Sequence, residues 1–384
     1  MDDGAGGTRL STQAIADRVR EAGARGTPLR IVGAGTWLDA GPPVALSQPL
    51  TLSGERGIVD YTPGDLTLTA RAGTPLAEIA RVTAAERQWL TLDPHGTDAG
   101  TIGATVSTAS CGPLAHAFGT PRDLVLGLEA VTGDGTIIRT GGRVVKNVAG
   151  FDLTRLFTGS WGTLAVITEV TVRLRALPEV EETVGIAVRD DAPQPLSDLL
   201  GRLRAIRTAP LALELLSPAI AARLGAGAST VLLVRLGGNE ESVRAQRSAL
   251  EKIGTVVTLP ERIWSSLRGS EAPNDQVVRI SDSPFMLDNL WRIAREASAA
   301  HSGAYSHASV GRGIVRCVLP SVSAGIAAFR GFDEGAFFLK TVPERVSASN
   351  SEWPWKVHQR YAGPLASRAR DAFDPHRILN RAAA

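Results

Sequence analysis

The sequence predicts an α+β protein built around two sheets. In its first part, short segments that alternate apolar and polar residues are separated by glycine-rich loops, and two of them (125–132 and 136–139) flank a Gly-Asp-Gly turn typical of a β-hairpin. After residue 178, short strands alternate with helices, which predicts an antiparallel sheet backed by helices. A chain of 384 residues is long enough for two cores of this kind.

Composition excludes several classes of function. Charged residues make up 21% and hydrophobic residues 43%, as in an ordinary globular enzyme. The 41 basic and 39 acidic residues form no basic block with interleaved aromatics, so nucleic acid is not expected as a partner. Two cysteines cannot supply a disulfide scaffold. The first residues lack a signal-peptide pattern and no stretch approaches the ~20 apolar residues of a membrane span, so we expect a cytoplasmic protein without a transmembrane segment.

The first part of the chain is predicted to contain two helices, one irregular segment and a set of strands. A helix is expected over 11–22, with Ser11 or Thr12 as its cap and Gly23 at its end, and a second helix opens at Thr74-Pro75. The segment 94–121 is so rich in glycine, proline and small residues that it predicts no regular element. Strands are predicted at 29–32, 50–52, 57–61, 66–72, in the hairpin and at 165–174.

In the second part the clearest helix covers 239–253, with Asn239 as its cap, Glu240 and Glu241 in its first turn and Gly254 beyond its end. The tail 353–381 is predicted to be mostly helical, with a break at 373–375. Strands are predicted at 183–188, 211–216, 231–236, 277–280 and 314–319.

A Gly-x-Gly turn at Gly33-Ala34-Gly35 follows the first predicted strand and is the first candidate binding loop. A Rossmann interpretation fails, because Leu38 stands in place of the third glycine and Pro42-Pro43 leaves no room for the helix that must follow. Consecutive main-chain amides of such a turn, continued by Thr36 and Trp37, can instead surround a diphosphate as an anion nest. Taken alone, a turn of this sequence is more often an ordinary turn, and the later motifs are what favour a binding loop.

A second candidate loop runs over 93–113. It contains Pro94, the run Gly100-Thr101-Ile102-Gly103 and Gly112. Small residues let the backbone lie along a bulky ligand, and the hydroxyls of Thr101, Ser107 and Thr108 can bind phosphate or ring oxygens. Loops of this length without structure are uncommon unless they are functional.

The most informative segment is 141–164, which includes KNVAGFDLTRL and GSWGTL and leads into the strand at 165–174. This segment closely resembles the flavin-domain signature of the vanillyl-alcohol oxidase/p-cresol methylhydroxylase (PCMH-type) family, and within it the glycolate oxidase branch. The turn at Gly33, the loop at 93–113 and the run FGTPRDLVLG at 118–127 also resemble motifs of that family. The resemblance extends over about residues 29–177, with a weaker match at 373–380.

The resemblance implies a PCMH-type, two-subdomain FAD-binding fold over 1–178, an α+β cap with an antiparallel sheet over 179–350, and a C-terminal helical segment over 351–384 that returns to the FAD domain. Relatives that bind flavin covalently use a histidine in the first turn, where this chain has Ala34, so a non-covalent FAD is expected. The residues expected to bind FAD are Gly33, Ala34, Gly35, Thr36, Trp37, Pro94, Gly100, Thr101, Ile102, Gly103, Ser107, Thr108, Gly112, Arg122, Asp123, Gly162 and Ile167.

Catalytic residues are harder to assign. Catalytic subunits of the branch carry a GHAGDGNxH motif that binds a metal or the substrate carboxylate. The corresponding segment here is YSHASVGRGIVR, in which His307 matches the first histidine. The aspartate is replaced by Arg312 or Val310, and the second histidine by Arg316. These arginines would repel a divalent cation, and no other His/Asp/Glu cluster is evident, so no metal site is expected. Arg312 and Arg316 could bind a carboxylate or simply face solvent. The weak catalytic candidates are Lys146, Asn147, His307 and Arg316.

Intact flavin motifs with a degraded metal motif resemble the second flavin subunits of three-part glycolate oxidases. The resemblance implies a sister flavin subunit and an iron–sulfur subunit as partners, a small 2-hydroxy acid as substrate, and contact with a membrane only through those partners. Two alternatives remain open: a self-contained FAD-dependent oxidoreductase acting on another small alcohol or acid, and a flavin-bearing scaffold without turnover.

Overall fold

The computed structural model describes residues 11–36, 38, 47–142, 152–188, 195–206, 209–272, 275–320, 336–340 and 364–380. Helix α1 (Thr12–Arg25) opens the described chain, and the Ser11 hydroxyl caps it by accepting a hydrogen bond from the amide of Ala14. It ends at Gly26, three residues beyond the predicted Gly23, because Gly26 takes the left-handed conformation (φ 63°) that closes the last turn.

Strands β1 (Leu29–Val32) and β2 (Gln48–Thr51) form a parallel pair. They are followed by β3 (Ile58–Thr62), β4 (Thr67–Arg71), α2 (Leu76–Ala84) and β5 (Gln88–Trp89). Each predicted element of this stretch is present, within one or two residues of its expected position. Pro75 lies at the cap position of α2.

The segment 94–121, predicted to be irregular, contains three short helices: α3 (Ile102–Thr108), α4 (Ala115–Phe118) and α5 (Pro121–Leu124). The prediction was wrong here because glycine and β-branched residues are poor helix formers, and tertiary packing overrides that propensity. Ile102 and Val106 are fully buried in the core, and the side chain of Thr101 caps α3. The helix is therefore held by its buried face.

A five-stranded sheet with the order β3-β4-β8-β6-β7 completes this half. The predicted hairpin is present, and β8 lies antiparallel to both β4 and β6. Its core includes Leu68, Val131 and Val170, with Ile15 and Val19 of α1. The remaining elements are β6 (Val125–Thr132), β7 (Ile137–Gly141), α6 (Leu153–Phe157), β8 (Ala165–Arg173) and β9 (Arg175–Ala176), the last paired with β5.

The second half folds around an eight-stranded antiparallel sheet, here called the cap sheet, with the order β13-β10-β12-β11-β15-β16-β14-β17. The predicted strands and the predicted helix after Asn239 are present, whereas β13, β15 and β17 were not predicted. The elements are β10 (Val180–Ala187), α7 (Pro195–Ala205), β11 (Ala212–Leu216), α8 (Pro218–Arg223), β12 (Val231–Gly238), α9 (Glu240–Glu251), β13 (Val256–Leu259), α10 (Ile263–Arg268), β14 (Gln276–Ser281), α11 (Leu287–Ala299), β15 (Tyr305–Ser309), β16 (Ile314–Leu319) and β17 (Ala336–Lys340).

The two faces of the cap sheet are covered differently. One face packs a continuous apolar core that includes Leu215, Ile280 and Cys317 against residues of α7, α9 and α11. The other face is covered only in part, where Leu216 and Val318 belong to a smaller core with residues of α8 and α10. The uncovered part of this second face is turned toward the first half of the chain.

The tail returns to the first half. Helix α12 (Pro364–Phe373) ends at Phe373, as the predicted break required, and Phe373 packs edge-on against Phe157 with ring centroids 5.2 Å apart. The segment beyond it runs parallel beside β1, where the amide of Leu29 donates to the carbonyl of Ile378 (2.7 Å) and the amide of Asn380 donates to the carbonyl of Leu29 (2.9 Å). Among the described residues, no helix is long and apolar enough to cross a membrane.

Candidate functional site

A cavity of 1410 Å³ lies between the first half of the chain and the uncovered part of the cap sheet. Its volume exceeds the roughly 300–1,000 Å³ of a typical small-molecule site, so it can hold a ligand of dinucleotide size together with a small substrate. Contacts from α10 close one side: the amide of Gly96 donates to the carbonyl of Arg268 (2.9 Å), and the Arg268 guanidinium reaches Pro94 O (3.2 Å) and Asp98 Oδ1 (3.0 Å).

One boundary of the cavity, here called the main-chain wall, consists of the turn 33–36, the segment 94–112 and the loop 159–167. In the turn, Gly35 has a φ of 73°, a conformation that favours glycine. The amides of residues 33–36 have no hydrogen-bond acceptor among the described residues. Consecutive free amides of this kind can bind a diphosphate, as the anion-nest interpretation requires.

Close packing behind this wall depends on the absence of side chains. A Cβ on Gly103 would lie 2.5 Å from the Cβ and 2.8 Å from the carbonyl oxygen of Ala72, and a Cβ on Gly33 would lie 2.5 Å from Thr101 Oγ1. The amide of Gly103 also donates to Ala72 O (2.9 Å). The start of α3 is therefore held directly against the end of β4.

The loop 159–162 lies along the far end of α3. The amide of Gly159 donates to Val106 O (3.0 Å), and the amide of Trp161 donates to Ser107 O (2.8 Å). Asn380 joins this loop to the first strand, because its Nδ2 donates to Trp161 O and its Oδ1 accepts from the amide of Ile31, each at 2.8 Å. The tail therefore contributes to the same wall.

The structure brings together most of the residues that were predicted to bind FAD. Two do not line the cavity: Ile102 is fully buried in the core, and Asp123 caps α5 by accepting hydrogen bonds from the amide and hydroxyl of Thr120. Trp37, Lys146 and Asn147 lie outside the described residues. The predicted residues that line it are Gly33, Ala34, Gly35, Thr36, Pro94, Gly100, Thr101, Gly103, Ser107, Thr108, Gly112, Arg122, Gly162 and Ile167.

The opposite boundary, here called the cap wall, consists of side chains from β11, β15, β16 and β14. Directly opposed residues of antiparallel strands point to the same face, so the register sets the composition of this wall. One row crosses the strands as His307, Arg316 and Arg279, and the next as Glu214, Ser309, Ile314 and Ser281. All seven line the cavity. His307 and Arg316 were weak predictions, whereas Glu214 was missed.

Two buried pairs organise the charges of the cap wall. His307 Nδ1 lies 3.1 Å from Glu214 Oε2, and the two side chains are 1% and 3% exposed. Arg316 donates from Nε (2.9 Å) and from Nη2 to Glu271 Oε1, with side chains 9% and 5% exposed. Arg316 is therefore not on a solvated strand face, which was one of the two interpretations of the sequence.

Three possible ligand atoms, one each from His95, Glu271 and His307, lie within 4.8 Å of one another. The expectation that the chain has no other His/Asp/Glu cluster was wrong, because the three residues are far apart in sequence and meet only when the cap sheet faces the segment 94–112. Glu271 is already paired with Arg316, so a divalent cation would have to share the carboxylate with a buried guanidinium. That arrangement favours anions over cations.

Burial changes the ionisation of Asp93, which directly precedes the main-chain wall, and of His95, which lines the cavity. It raises the pKa of Asp93 to about 7, even though the amide of Leu114 donates to the carboxylate and Arg268 lies nearby. Burial also holds the pKa of His95 well below its usual value, and nearby charges, chiefly Arg316, act in the same direction. His95 is therefore a neutral imidazole, and its Nδ1 has no partner among the described residues.

Fold and site together define a flavin-binding oxidoreductase. A family profile described as an FAD binding domain matches residues 10–141. Glycolate oxidase subunit GlcE of Escherichia coli (strain K12) is 34% identical over 268 residues, covering 68% of this chain and 75% of the relative. Glycolate oxidase subunit GlcD of Bacillus subtilis (strain 168) is 34% identical over 252 residues, covering 63% of this chain and 50% of the relative.

Solved structures agree on the fold. p-Cresol methylhydroxylase with substrate bound aligns with a TM-score of 0.75 over 97% of this chain and 87% of that chain, at 16% identity. 4-Ethylphenol oxidase from Gulosibacter chungangensis aligns with a TM-score of 0.72 over 96% and 87%, also at 16% identity. The chain belongs to the PCMH-type FAD-binding flavoprotein family that includes the glycolate oxidase subunits, and it is an FAD-dependent oxidoreductase with the predicted α+β fold.

Proposed function

We propose that the chain is the FAD-binding subunit of a glycolate oxidase-like complex that oxidises glycolate or a similar small 2-hydroxy acid to the 2-oxo acid. The observation that carries this proposal is the cap wall, where arginine and histidine side chains face a cavity whose other boundary suits a flavin. Relatives named as D-lactate dehydrogenase and D-2-hydroxyglutarate dehydrogenase support the same substrate class.

The main-chain wall is proposed to hold FAD without a covalent bond. The free amides of residues 33–36 would bind the diphosphate, and the small residues of α3 and of the loop 159–162 would let the backbone lie beside the ring system. Ala34 offers no nucleophile for attachment. When bound, FAD supplies the oxidant, a two-electron acceptor of hydride.

The cap wall is proposed to hold the substrate carboxylate. Arg312 lies in the turn between β15 and β16 and lines the cavity beside the cap wall. It uses Nη1 for a contact with Cys111 Sγ (3.2 Å), which leaves its other amino group for an anion. Arg316, which also lines the cavity, binds Glu271 through Nε and Nη2, and we propose that Nη1 contacts the substrate. Two guanidinium groups can bind a carboxylate through several charge-assisted hydrogen bonds. We propose that no metal ion takes part.

We propose an FAD domain over 1–178, a cap over 179–350 and a C-terminal segment over 351–384. A sister flavin subunit and an iron–sulfur subunit would receive the electrons, with the chain in the cytoplasm and in contact with a membrane only through them. A relationship to both GlcE and GlcD supports a complex that contains more than one flavin subunit.

Anaerobic flavin reduction tests the function. The purified chain is titrated with FAD, and its absorbance is followed after addition of glycolate or D-lactate, both alone and after co-expression with its sister subunit. Bleaching only in the co-expressed sample supports the complex, whereas bleaching of the chain alone favours a self-contained enzyme. Flavin that stays oxidised in both samples contradicts 2-hydroxy acid oxidation, and a chain that does not bind FAD contradicts the cofactor site.

A variant tests the carboxylate site. Arg312→Met removes a charged donor worth about 1.5–3 kcal/mol, so KM for the 2-hydroxy acid should rise about 10- to 100-fold with little change in kcat. Arg295→Met, which removes an exposed arginine of α11, is the matched control and should leave KM unchanged. An unchanged KM in Arg312→Met would show that the carboxylate binds elsewhere.

A further inference from the structure

We infer that His307 accepts the hydroxyl proton of the substrate and that Glu214 positions its imidazole. This assignment rests on the proposed 2-hydroxy acid oxidation. His307 lies on β15 and Glu214 on the neighbouring strand β11, and both side chains point from the cap wall into the cavity. Because β11 and β15 are paired in the cap sheet, the backbone positions of both residues are fixed relative to each other.

The hydrogen bond between the two residues sets the tautomer of the imidazole. His307 Nδ1 lies 3.1 Å from Glu214 Oε2, and an ionised carboxylate can only accept a hydrogen bond. In the proposed assignment the Glu214 carboxylate is the acceptor, so Nδ1 carries the proton and Nε2 keeps its lone pair. A lone pair on Nε2 is what a proton acceptor requires.

The free nitrogen is buried but has no partner. His307 Nε2 makes no hydrogen bond among the described residues, although the residue is only 1% exposed. Leaving a buried polar atom unpaired costs about 1–3 kcal/mol, and such atoms are rare in native proteins unless a ligand or water satisfies them. Because His307 lines the cavity, a substrate hydroxyl is a suitable partner.

His95 offers a second unpaired nitrogen but is a poorer acceptor. The two rings lie 5.2 Å apart. Burial and the arginines around it hold the pKa of His95 well below the usual value, so its protonated form is strongly disfavoured. His307 differs because the Glu214 carboxyl group contacts its Nδ1 (3.1 Å) and orients the ring. Of the two histidines, only His307 has this support.

The reaction balances with one proton acceptor and one hydride acceptor. The O–H bond of the substrate breaks and its proton passes to His307 Nε2. The α C–H bond breaks, and FAD held by the main-chain wall would supply the two-electron acceptor for its hydrogen and both bonding electrons. The C=O double bond of the 2-oxo acid forms from the electron pair of the broken O–H bond.

Three variants of the holoenzyme, assayed in the complex if the complex is required, test the assignment by kinetics. His307→Asn removes the acceptor, so the rate of anaerobic flavin reduction by D-lactate should fall about 10²- to 10⁴-fold while KM changes little. Glu214→Gln can donate to Nδ1 and so favour the wrong tautomer, and it should lower the same rate about 10²-fold or more. His301→Asn, which lies outside the cavity lining, is the matched control and should reduce flavin at the normal rate.

A spectroscopic signature separates positioning from a merely structural role. The chain has six histidines, so their ¹⁵N signals can be resolved and assigned with the histidine variants. In the wild-type protein, His307 should show the tautomer protonated at Nδ1, and Glu214→Gln should weaken or reverse this preference. A wild-type His307 protonated at Nε2 overturns the assignment without any measurement of activity.

The outcomes also separate this inference from the proposed function. If no 2-hydroxy acid reduces the wild-type flavin, the proposed function fails. If the wild type is reduced and His307→Asn, with full FAD content, is reduced equally fast, only the inference fails. A stoichiometric metal ion that is present in the wild type and lost from His307→Asn would also overturn it, because Nε2 would then be a ligand.

Discussion

The two walls of the cavity are built by different means. The main-chain wall depends on residues that lack side chains, such as Gly33 and Gly103, and on amides that are consecutive in sequence. The cap wall depends on long charged side chains, and its polar rows cross four strands of one sheet. One wall is local in sequence and the other is assembled from residues far apart.

This difference determines how each wall can fail. A wall made of backbone tolerates the loss of a side chain but does not tolerate the addition of one, because the space is already filled. A wall of buried charges is sensitive to the loss of either partner, because the remaining charge is then buried without compensation. Adding a side chain should therefore damage the main-chain wall, and removing a charged side chain should damage the cap wall.

The largest expected effect is on the cap wall. Glu271→Ala leaves the Arg316 guanidinium, which is 9% exposed, without its carboxylate. Removing one partner of a buried pair costs about 3–5 kcal/mol, so the free energy of unfolding in urea should fall by about that amount. Replacing both partners with apolar residues, as in Glu271→Leu with Arg316→Met, should restore most of the stability.

Thr108→Ala is the control for Glu271→Ala, because it removes a polar side-chain group from the main-chain wall. The Thr108 hydroxyl donates only within its own helix, to Ala104 O (2.8 Å) and Thr105 O (3.4 Å), so the free energy of unfolding should change by less than about 0.5 kcal/mol. A similar loss of stability in Glu271→Ala and Thr108→Ala would contradict the distinction between the walls.

The second effect is the addition of a side chain to the main-chain wall. Gly103→Val must displace Ala72 or α3, because even a Cβ would lie 2.5 Å from the Ala72 methyl. Overpacking of this kind costs about 1–3 kcal/mol, which would weaken FAD binding roughly 10- to 100-fold. Fluorescence titration of the apoprotein with FAD measures the change.

Gly64→Ala provides the control for this substitution, because no atom lies within 4 Å of the added Cβ. It should bind FAD with unchanged affinity. If Gly103→Val also binds FAD normally, the close contact between α3 and β4 is not needed for the cofactor site.

The last effect concerns Asp93, which directly precedes the main-chain wall and accepts hydrogen bonds from the amide of Leu114. Because burial raises its pKa from 3.8 to about 7, the folded protein holds a proton that the unfolded chain releases at lower pH. The contribution of Asp93 to stability is therefore complete below about pH 4 and lost as the pH rises to about 7. The Tm of the wild type should fall over this range by a few degrees more than that of Asp93→Asn. Equal slopes would contradict the raised pKa.

The sequence predicted the main-chain wall well because its motifs are contiguous. Glycines and small residues at fixed spacing specify a local backbone path, and the resemblance to known flavoproteins rests on such segments. The same composition is the reason why α3 was not predicted, because Gly103 and Thr105 are poor helix formers. The helix is instead stabilised by burial of the Ile102 and Val106 side chains.

The cap wall could be predicted only in part. His307 and Arg316 were noticed because they lie in one degraded motif, but their partners Glu214 and Glu271 belong to other segments. Nothing local distinguishes these two glutamates from surface residues. Their roles depend on the strand order β11-β15-β16-β14 and on the register of these strands. Neither the order nor the register could be predicted from one sequence.

The bonds made by Asn380 have a consequence for the order of events during synthesis. Its side chain joins Ile31 of β1 to the loop at Trp161, yet it is translated long after both. A nascent chain that has released only its first half from the ribosome lacks this connection. We therefore expect stable binding of FAD to begin only after residue 380 has been translated and has joined the two segments.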